Sequence, residues 1–466
     1  MSLNSTPTAE RVQIGIFGRV NAGKSSVMNS LTGQELAVVS RQEGTTTDPV
    51  RKAMELLPVG PVMVYDTPGL SDTSALGSKR EQKTEEILRR IDMALIVVDA
   101  GLWKEGKSDG ASAQVMERAL LSRFQKQGIP CLVIANKMDT VPEEHRRALA
   151  GQIAQSLLVD REAVFPYSCM DPLPGGGVES LRERIAQLGK KEASEKRLVG
   201  DLLSQGDVVL LVIPIDESAP KGRLILPQQQ VIRDALDAGA VVMAAQPSEL
   251  PQTLARLKEA PRLVITDSQA FGEVSRMLPR EVPLTSFSIL MARYKGDLKG
   301  QAAGAKMIDM LGDGARILIA EGCTHHRQCG DIGTVKLPAW IKKHTGKEFQ
   351  YSFTSGGEFP QNMSGNIVLQ QKNAEKEGFS QHNDASGNED QQSSGNAVSP
   401  ENTTNADDGL ADFDLIIHCG GCTLPEREME WRIASAKEAG IPMTNYGTMI
   451  AYLHGILDRA MEPLAG

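Results

Sequence analysis

From residue 11 to about residue 188 the chain alternates short runs rich in Val and Ile with longer stretches of helical periodicity. Residues 12–17, 61–65, 94–98, 131–135 and 163–167 read as buried strands bounded by Gly, Pro or Asp, with helical patterns between them at 81–90 and 111–127. Strands that alternate with helices join as a parallel sheet covered on both faces, because each parallel connection must cross back over the sheet. The expected fold class is therefore α/β. A second α/β unit is expected from strands 208–213, 240–244 and 262–265, with helices at 227–238, 248–257 and 268–277. It holds no phosphate loop, metal spacing or acid/base cluster, so it reads as a packing or assembly module. A third begins near residue 283, with a helix at 300–311, strands at 315–320 and 413–417, and helices at 426–439 and 448–461.

Between these last two strands lies a stretch, 361–412, dense in Asn, Gln, Ser, Asp and Glu. It has too little apolar surface to offset its ordering entropy and is expected to be a disordered insertion. The formal charge of −9 argues against a surface that wraps nucleic acid. No apolar run approaches the roughly 20 residues needed to span a bilayer, and the polar segment 1–10 has no signal-peptide core, so a cytoplasmic, membrane-free protein is expected. Six cysteines are too sparse for a disulfide scaffold.

Gly18-Arg-Val-Asn-Ala-Gly-Lys-Ser25 follows the first strand and opens a helix, the context in which this phosphate-loop pattern carries meaning. Gly18, Asn21, Ala22, Gly23 and Ser26 would offer backbone and polar groups to phosphates. Lys24 would reach the β- and γ-phosphates, and the Ser25 hydroxyl would bind magnesium. Asp66-Thr-Pro-Gly69 ends the next long strand, where Asp66 would serve magnesium and Gly69 would sense the γ-phosphate. Thr45, Thr46 and Thr47 lie in a polar loop suited to closing over the metal, with Thr47 on the ion. Asn136-Lys137-Met-Asp139 ends a later strand, and the Asp139 carboxylate can accept from both N1–H and the 2-amino group of guanine, which adenine does not offer. Ser168 and Cys169 stand where a second base-contacting loop is expected. These motifs, in this order, read as a GTP-hydrolysing site with Lys24, Thr47, Asp66 and Gly69 in the chemistry. Leu70 cannot orient water as a glutamine would, and Asn21 could help hold a monovalent cation. Both features resemble the Era/TrmE-like GTPases, several of which use potassium in place of an arginine finger.

The second chemical constellation is sulfur. Cys323 follows one buried strand, and Cys419-x-x-Cys422 follows another and precedes a helix. Loops after strand carboxyl ends converge in an open α/β sheet, so these three thiols can meet, with His325 and His418 close to them in sequence. Three cysteines and a histidine suit tetrahedral zinc or an iron–sulfur cluster with one exchangeable corner, and the spacing does not separate the two. A thiol redox pair, or an unrelated buried Cys323, are the remaining readings.

GTPase motifs followed by Glu321-Gly-Cys-Thr-His-His-Arg-Gln-Cys-Gly-Asp-Ile-Gly333 and by His418-Cys-Gly-Gly-Cys422 resemble the FeFe-hydrogenase maturation GTPases, the HydF family. The resemblance implies a GTPase domain (11–190), a dimerisation domain (200–280) and an iron–sulfur domain (281–466), after an N-terminal tail (1–10). It implies a 4Fe–4S cluster on Cys323, Cys419 and Cys422, with His325 or His418 at a labile fourth position. It also implies a homodimer or higher oligomer that receives a diiron precursor made with radical-SAM maturases and delivers it to apo-FeFe-hydrogenase. The sequence departs from the family in its longer spacing between the cysteine elements, which a flexible loop tolerates at small entropic cost, and in the extra thiol Cys329. An RNA- or ribosome-associated GTPase with structural zinc is the alternative reading.

Overall fold

The structure, a computed structural model, describes residues 6–33, 50–67, 84–103, 109–170, 173, 177–189, 196–215, 224–323, 331–360 and 409–464. They fall into two compact units, residues 1–198 with 422–431, and residues 199–421 with 432–466.

The first unit is built on a six-stranded sheet. Its strands are β1 (Val12–Phe17), β2 (Val50–Leu56), β3 (Gly60–Asp66), β4 (Met93–Asp99), β5 (Cys131–Asn136) and β6 (Val164–Pro166), in the order β2-β3-β1-β4-β5-β6. All pairings are parallel except β2 with β3. Successive residues of β4 go to opposite faces, as the period of two requires: Met93, Leu95 and Val97 enter one core, and Ala94, Ile96 and Val98 the other. A strand buried on both sides has to be apolar throughout, which is why these runs stand out in the sequence. The chain steps from β1 to β3 on one side and returns to β4 on the other, so the carboxyl ends of β1 and β4 border the crevice where α/β sheets bind ligands. The segment Cys422–Trp431 belongs to this unit. Its buried Glu428 pairs with Arg90, and Arg427 donates to the carbonyls of Gln127 (3.1 Å) and Gly128 (2.9 Å).

The second unit carries two four-stranded sheets. One is β7 (Val208–Val212), β8 (Val241–Ala245), β9 (Leu263–Thr266) and β10 (Leu284–Ser286), ordered β10-β9-β7-β8. The other is β11 (Arg316–Glu321), β12 (Gln350–Ser355), β13 (Leu415–His418) and β14 (Met443–Asn445), ordered β12-β11-β13-β14. Both are wholly parallel. In the second of them β11 and β13 are neighbours although β12 lies between them in the chain, which makes the gap between their carboxyl ends another switch point. The helix Phe287–Lys295 leaves β10, capped by Ser286 Oγ accepting from the Ile289 N–H (3.3 Å). Asn445 Nδ2 donates to the Ser288 carbonyl (2.8 Å), joining this helix to the β14 end of the other sheet.

β2 and β12 carry no sequence signal, because edge strands with charged or polar residues show no buried run, and two expectations need correction. The C-terminal helix is two helices, Tyr446–Leu453 and Leu457–Met461, broken where Gly455 takes φ +68°. The polar insertion ends before residue 412: Leu410–Asp412 forms a 3-10 turn with Leu410 fully buried, and residues 361–408 lie outside the described set. Among the described residues no helix is long and apolar enough to cross a membrane.

Candidate functional site

β1 ends at Phe17 and the helix Lys24–Thr32 starts seven residues later, with the phosphate loop between. Two glycines in that loop are sterically obligatory. Gly18 has φ +144°, and a Cβ there would lie 2.3 Å from the Val97 carbonyl oxygen. Gly23 has φ +95°, and a Cβ there would lie 2.2 Å from Asn136 Nδ2. The Lys24 side chain is buried and Nζ donates to the Arg19 carbonyl (2.8 Å), closing the loop over itself. Burial holds its ammonium below the ordinary lysine value, against the opposing pull of Asp66.

Asp66, the last residue of β3, accepts from Ser25 Oγ through Oδ2 at 2.6 Å. Burial raises its carboxyl above the usual carboxylate range, and Ser25 and Lys24 only partly offset that. Among the described residues its other oxygen, Oδ1, is buried with no hydrogen-bond partner. A buried carboxylate oxygen left open beside a hydroxyl is the donor set a hard, oxygen-seeking divalent cation takes, so these residues fit magnesium. Ser26 lies one residue further along the same helix. Asn21 is exposed at φ +63°, and its carbonyl accepts from Lys137 Nζ (2.7 Å).

The base-reading loop is fastened to the phosphate loop. Buried Asn136 donates from Nδ2 to the Ala22 carbonyl (3.0 Å), and Lys137, at φ +61°, also pairs with Asp99 Oδ2 (2.6 Å). Ser168 Oγ donates to Asp139 Oδ1 (2.7 Å), and the Met138 N–H donates to the Tyr167 carbonyl (3.1 Å), so the loop after β6 orients the carboxylate that would read guanine. Cys169 Sγ lies 3.5 Å from Asn136 Oδ1; burial, and then Asp139, push its thiol up to about 11. It thus stays protonated and braces Asn136. Of the residues expected around the nucleotide, Thr45, Thr46, Thr47, Gly69 and Leu70 lie outside the described residues.

At the second switch point Ala320 of β11 pairs with His418 of β13, so Cys323 and Cys419 emerge from adjacent strand ends. Two backbone donors face Cys419 Sγ, the Gly322 N–H at 3.1 Å and the Gly421 N–H at 3.4 Å. Such donors favour a thiolate over a thiol. His418 Nδ1 donates to the Cys419 carbonyl (2.7 Å). Its Nε2 faces Arg432 Nη1 (3.0 Å), and because arginine can only donate, Nε2 must accept. Both ring nitrogens of this fully buried histidine are engaged by protein groups. Burial, and then Arg432, drive its imidazole down to about 3, keeping it neutral. His325 and Cys329 lie outside the described residues, and among the described ones no three His, Cys, Asp or Glu side chains gather as a metal-ion site. Sequence reasoning missed Arg432 and Lys295, whose Nζ donates to the Gly421 carbonyl (2.9 Å). Each sits in a helical pattern where a basic residue reads as solvent-facing.

A family model described as the hydrogen maturase F dimerization domain matches residues 198–296. One described as the hydrogen maturase F tetramerization domain matches residues 299–370 and 389–463. Together they take in more than half the chain. A model described as a 50S ribosome-binding GTPase matches residues 13–137. Among curated proteins, tRNA modification GTPase MnmE of Halorhodospira halophila is 30% identical over 190 residues, 40% of this chain and 36% of that protein. GTPase Der of Kosmotoga olearia is 27% identical over 188 residues, 39% of this chain and 40% of that protein. The chain thus spans well under half the length of these curated relatives. Among solved structures, Era in complex with MgGDPNP and nucleotides of 16S ribosomal RNA is 18% identical, with 50% of this chain and 91% of that chain covered and a TM-score of 0.30. Toc33 from Arabidopsis thaliana in complex with Mg2+ and GMPPNP is 17% identical, with 39% and 85% covered and a TM-score of 0.30. A phosphate loop closed over Lys24, a β-strand aspartate bonded to Ser25 and a fastened Asn136–Asp139 loop stand on a P-loop GTPase sheet, with two hydrogen maturase F matches beyond it: the chain belongs to the hydrogen maturase F family and carries a GTPase domain.

Proposed function

We propose that the chain is a GTP-hydrolysing scaffold that holds a 4Fe–4S cluster on Cys323, Cys419 and Cys422 and delivers a diiron precursor to apo-FeFe-hydrogenase. The observation that carries this reading is the convergence of Cys323 and Cys419 on one switch point, with two N–H groups aimed at Cys419 Sγ. Cys422 is only three residues further along the chain. A cluster suits such a set because each cysteine binds a different iron, whereas one zinc ion needs all its ligands around one point. When bound, a cluster with three cysteine ligands supplies one iron open to an exchangeable ligand. The cargo is the diiron precursor, and radical-SAM maturases and the apo-hydrogenase are the proposed partners. The proposed domains are residues 11–190 for GTP, 200–280 for dimerisation and 281–466 for the cluster, in a homo-oligomer in the cytoplasm. The RNA-associated alternative is weaker, because the hydrogen maturase F matches extend over most of the chain beyond residue 198.

In the nucleotide site Lys24 would hold the β- and γ-phosphates, Ser25 and Asp66 the magnesium, and Asn21 a potassium ion, with GTP hydrolysis governing partner exchange. Anaerobically purified protein should be brown and contain iron and sulfide with a cluster signal in electron paramagnetic resonance. Cys422→Ser should lose most of its iron. Colourless, zinc-loaded protein under those conditions would favour the RNA-associated reading instead. For the cation, hydrolysis should rise about tenfold or more when potassium replaces sodium, an effect of the size expected for added positive charge at the transition state. Asn21→Ala should remove that difference, and equal rates in the two salts for the unaltered protein would exclude the ion.

A further inference from the structure

Beneath the Cys419 turn lie two basic side chains that nothing in the GTP reaction uses. Lys295 ends the helix Phe287–Lys295 and is only 3% exposed. Its Nζ donates to the carbonyl of Gly421, a residue held at φ +62°. Arg432 is completely buried. It donates to His418 Nε2 at 3.0 Å and to the Gly356 carbonyl at 2.7 Å, with its guanidinium 5.1 Å from the centre of the Phe359 ring. His418 in turn grips the Cys419 carbonyl at 2.7 Å. Each cation therefore reaches the turn through one backbone carbonyl, Lys295 directly at Gly421 and Arg432 by way of His418 at Cys419. The turn's own Gly421 N–H, joined by the Gly322 N–H that follows β11, is left pointing at Cys419 Sγ.

We propose that Lys295 and Arg432 form a buried cationic floor under the Cys419 turn, which fixes its backbone and makes the sulfur-bound cluster easier to reduce. Lysine and arginine are almost never fully buried without a specific partner, because desolvating the charge is costly. Charge below the surface acts through a lower dielectric than water, so a positive group near the sulfur stabilises the more negative, reduced state of what the sulfur holds. Hydrogen bonds to ligand sulfur act in the same sense, and net charge and such bonds set the potentials of iron–sulfur clusters. Lys295 and Arg432 are positioning residues on this view: they touch the ligand's loop, not the iron.

This inference rests on the proposed cluster, and the test separates the two. Full-length protein, reconstituted anaerobically, would be titrated electrochemically while the reduced-cluster signal is followed by electron paramagnetic resonance. Lys295→Gln keeps a donor for the Gly421 carbonyl and removes the charge; Lys295→Met removes both; Lys295→Arg keeps both. The Gln and Met variants should shift the midpoint to a more negative potential, by about a tenfold change in the relative affinity of the two redox states, or about 59 mV for a one-electron couple. The Arg variant should stay near the unaltered protein, and the Met variant should hold less iron than the Gln variant. If Lys295→Met does not fold, Lys295→Gln decides. A Gln variant with full iron content and an unshifted midpoint overturns the floor and leaves the cluster standing. Unaltered protein without iron and sulfide overturns both.

Discussion

Replacing Lys24 with alanine should lower kcat/KM for GTP by about 10³-fold or more, equivalent to about 4 kcal/mol of transition-state stabilisation. The side chain is buried, its ammonium is depressed by that burial, and it is bonded to a loop carbonyl (2.8 Å). This position suits a cation that waits for phosphate charge rather than one solvated by water. Phosphoryl transfer leaves the protein little to do beyond placing positive charge around the oxygens, so removing one fixed charge removes a large share of the rate. Steady-state phosphate release would measure it, with thermal unfolding as the control for folding. A loss smaller than about tenfold would show that Lys24 does not touch the phosphates.

Asp139→Asn should weaken GTP binding by about 2–4 kcal/mol, roughly 30- to 1,000-fold. The carboxylate has lone pairs left after taking the Ser168 hydroxyl (2.7 Å) and can accept both donors of the guanine edge. An amide there offers one acceptor and one donor, and the donor would face the 2-amino group. Xanthosine triphosphate has a carbonyl at that corner, so it should bind the variant better than GTP does and the unaltered protein worse. Calorimetry with both nucleotides on both proteins gives the four affinities. An unchanged GTP affinity in the variant would mean that Asp139 does not read the base.

The nucleotide half of the molecule was legible because its chemistry sits at strand ends and its strands are buried on both faces. Val12–Phe17 and Cys131–Asn136 announce themselves as Val/Ile runs, and the phosphate and guanine motifs follow each directly. β2 and β12 (Gln350–Ser355) escaped notice because edge strands need not be apolar on both sides. The terminal helix pair was read as one, since Gly455 breaks a pattern whose apolar period continues on either side. The sulfur site was half legible. The spacing of Cys323, Cys419 and Cys422 could be read, but the engagement of both His418 nitrogens could not, because it depends on Arg432, 14 residues away in sequence and on a helix whose other basic residues look alike.

The two bonds that lash the guanine-reading loop to the phosphate loop, Asn136 to the Ala22 carbonyl and Lys137 to the Asn21 carbonyl, also bear on what happens after cleavage. GDP loses the γ-phosphate proposed for Lys24 but keeps the guanine and the β-phosphate, so most of what the two fastened loops would hold is still there after cleavage. Release of GDP is therefore expected to be slow, and a stimulus that hastens it is expected to act by loosening these two bonds.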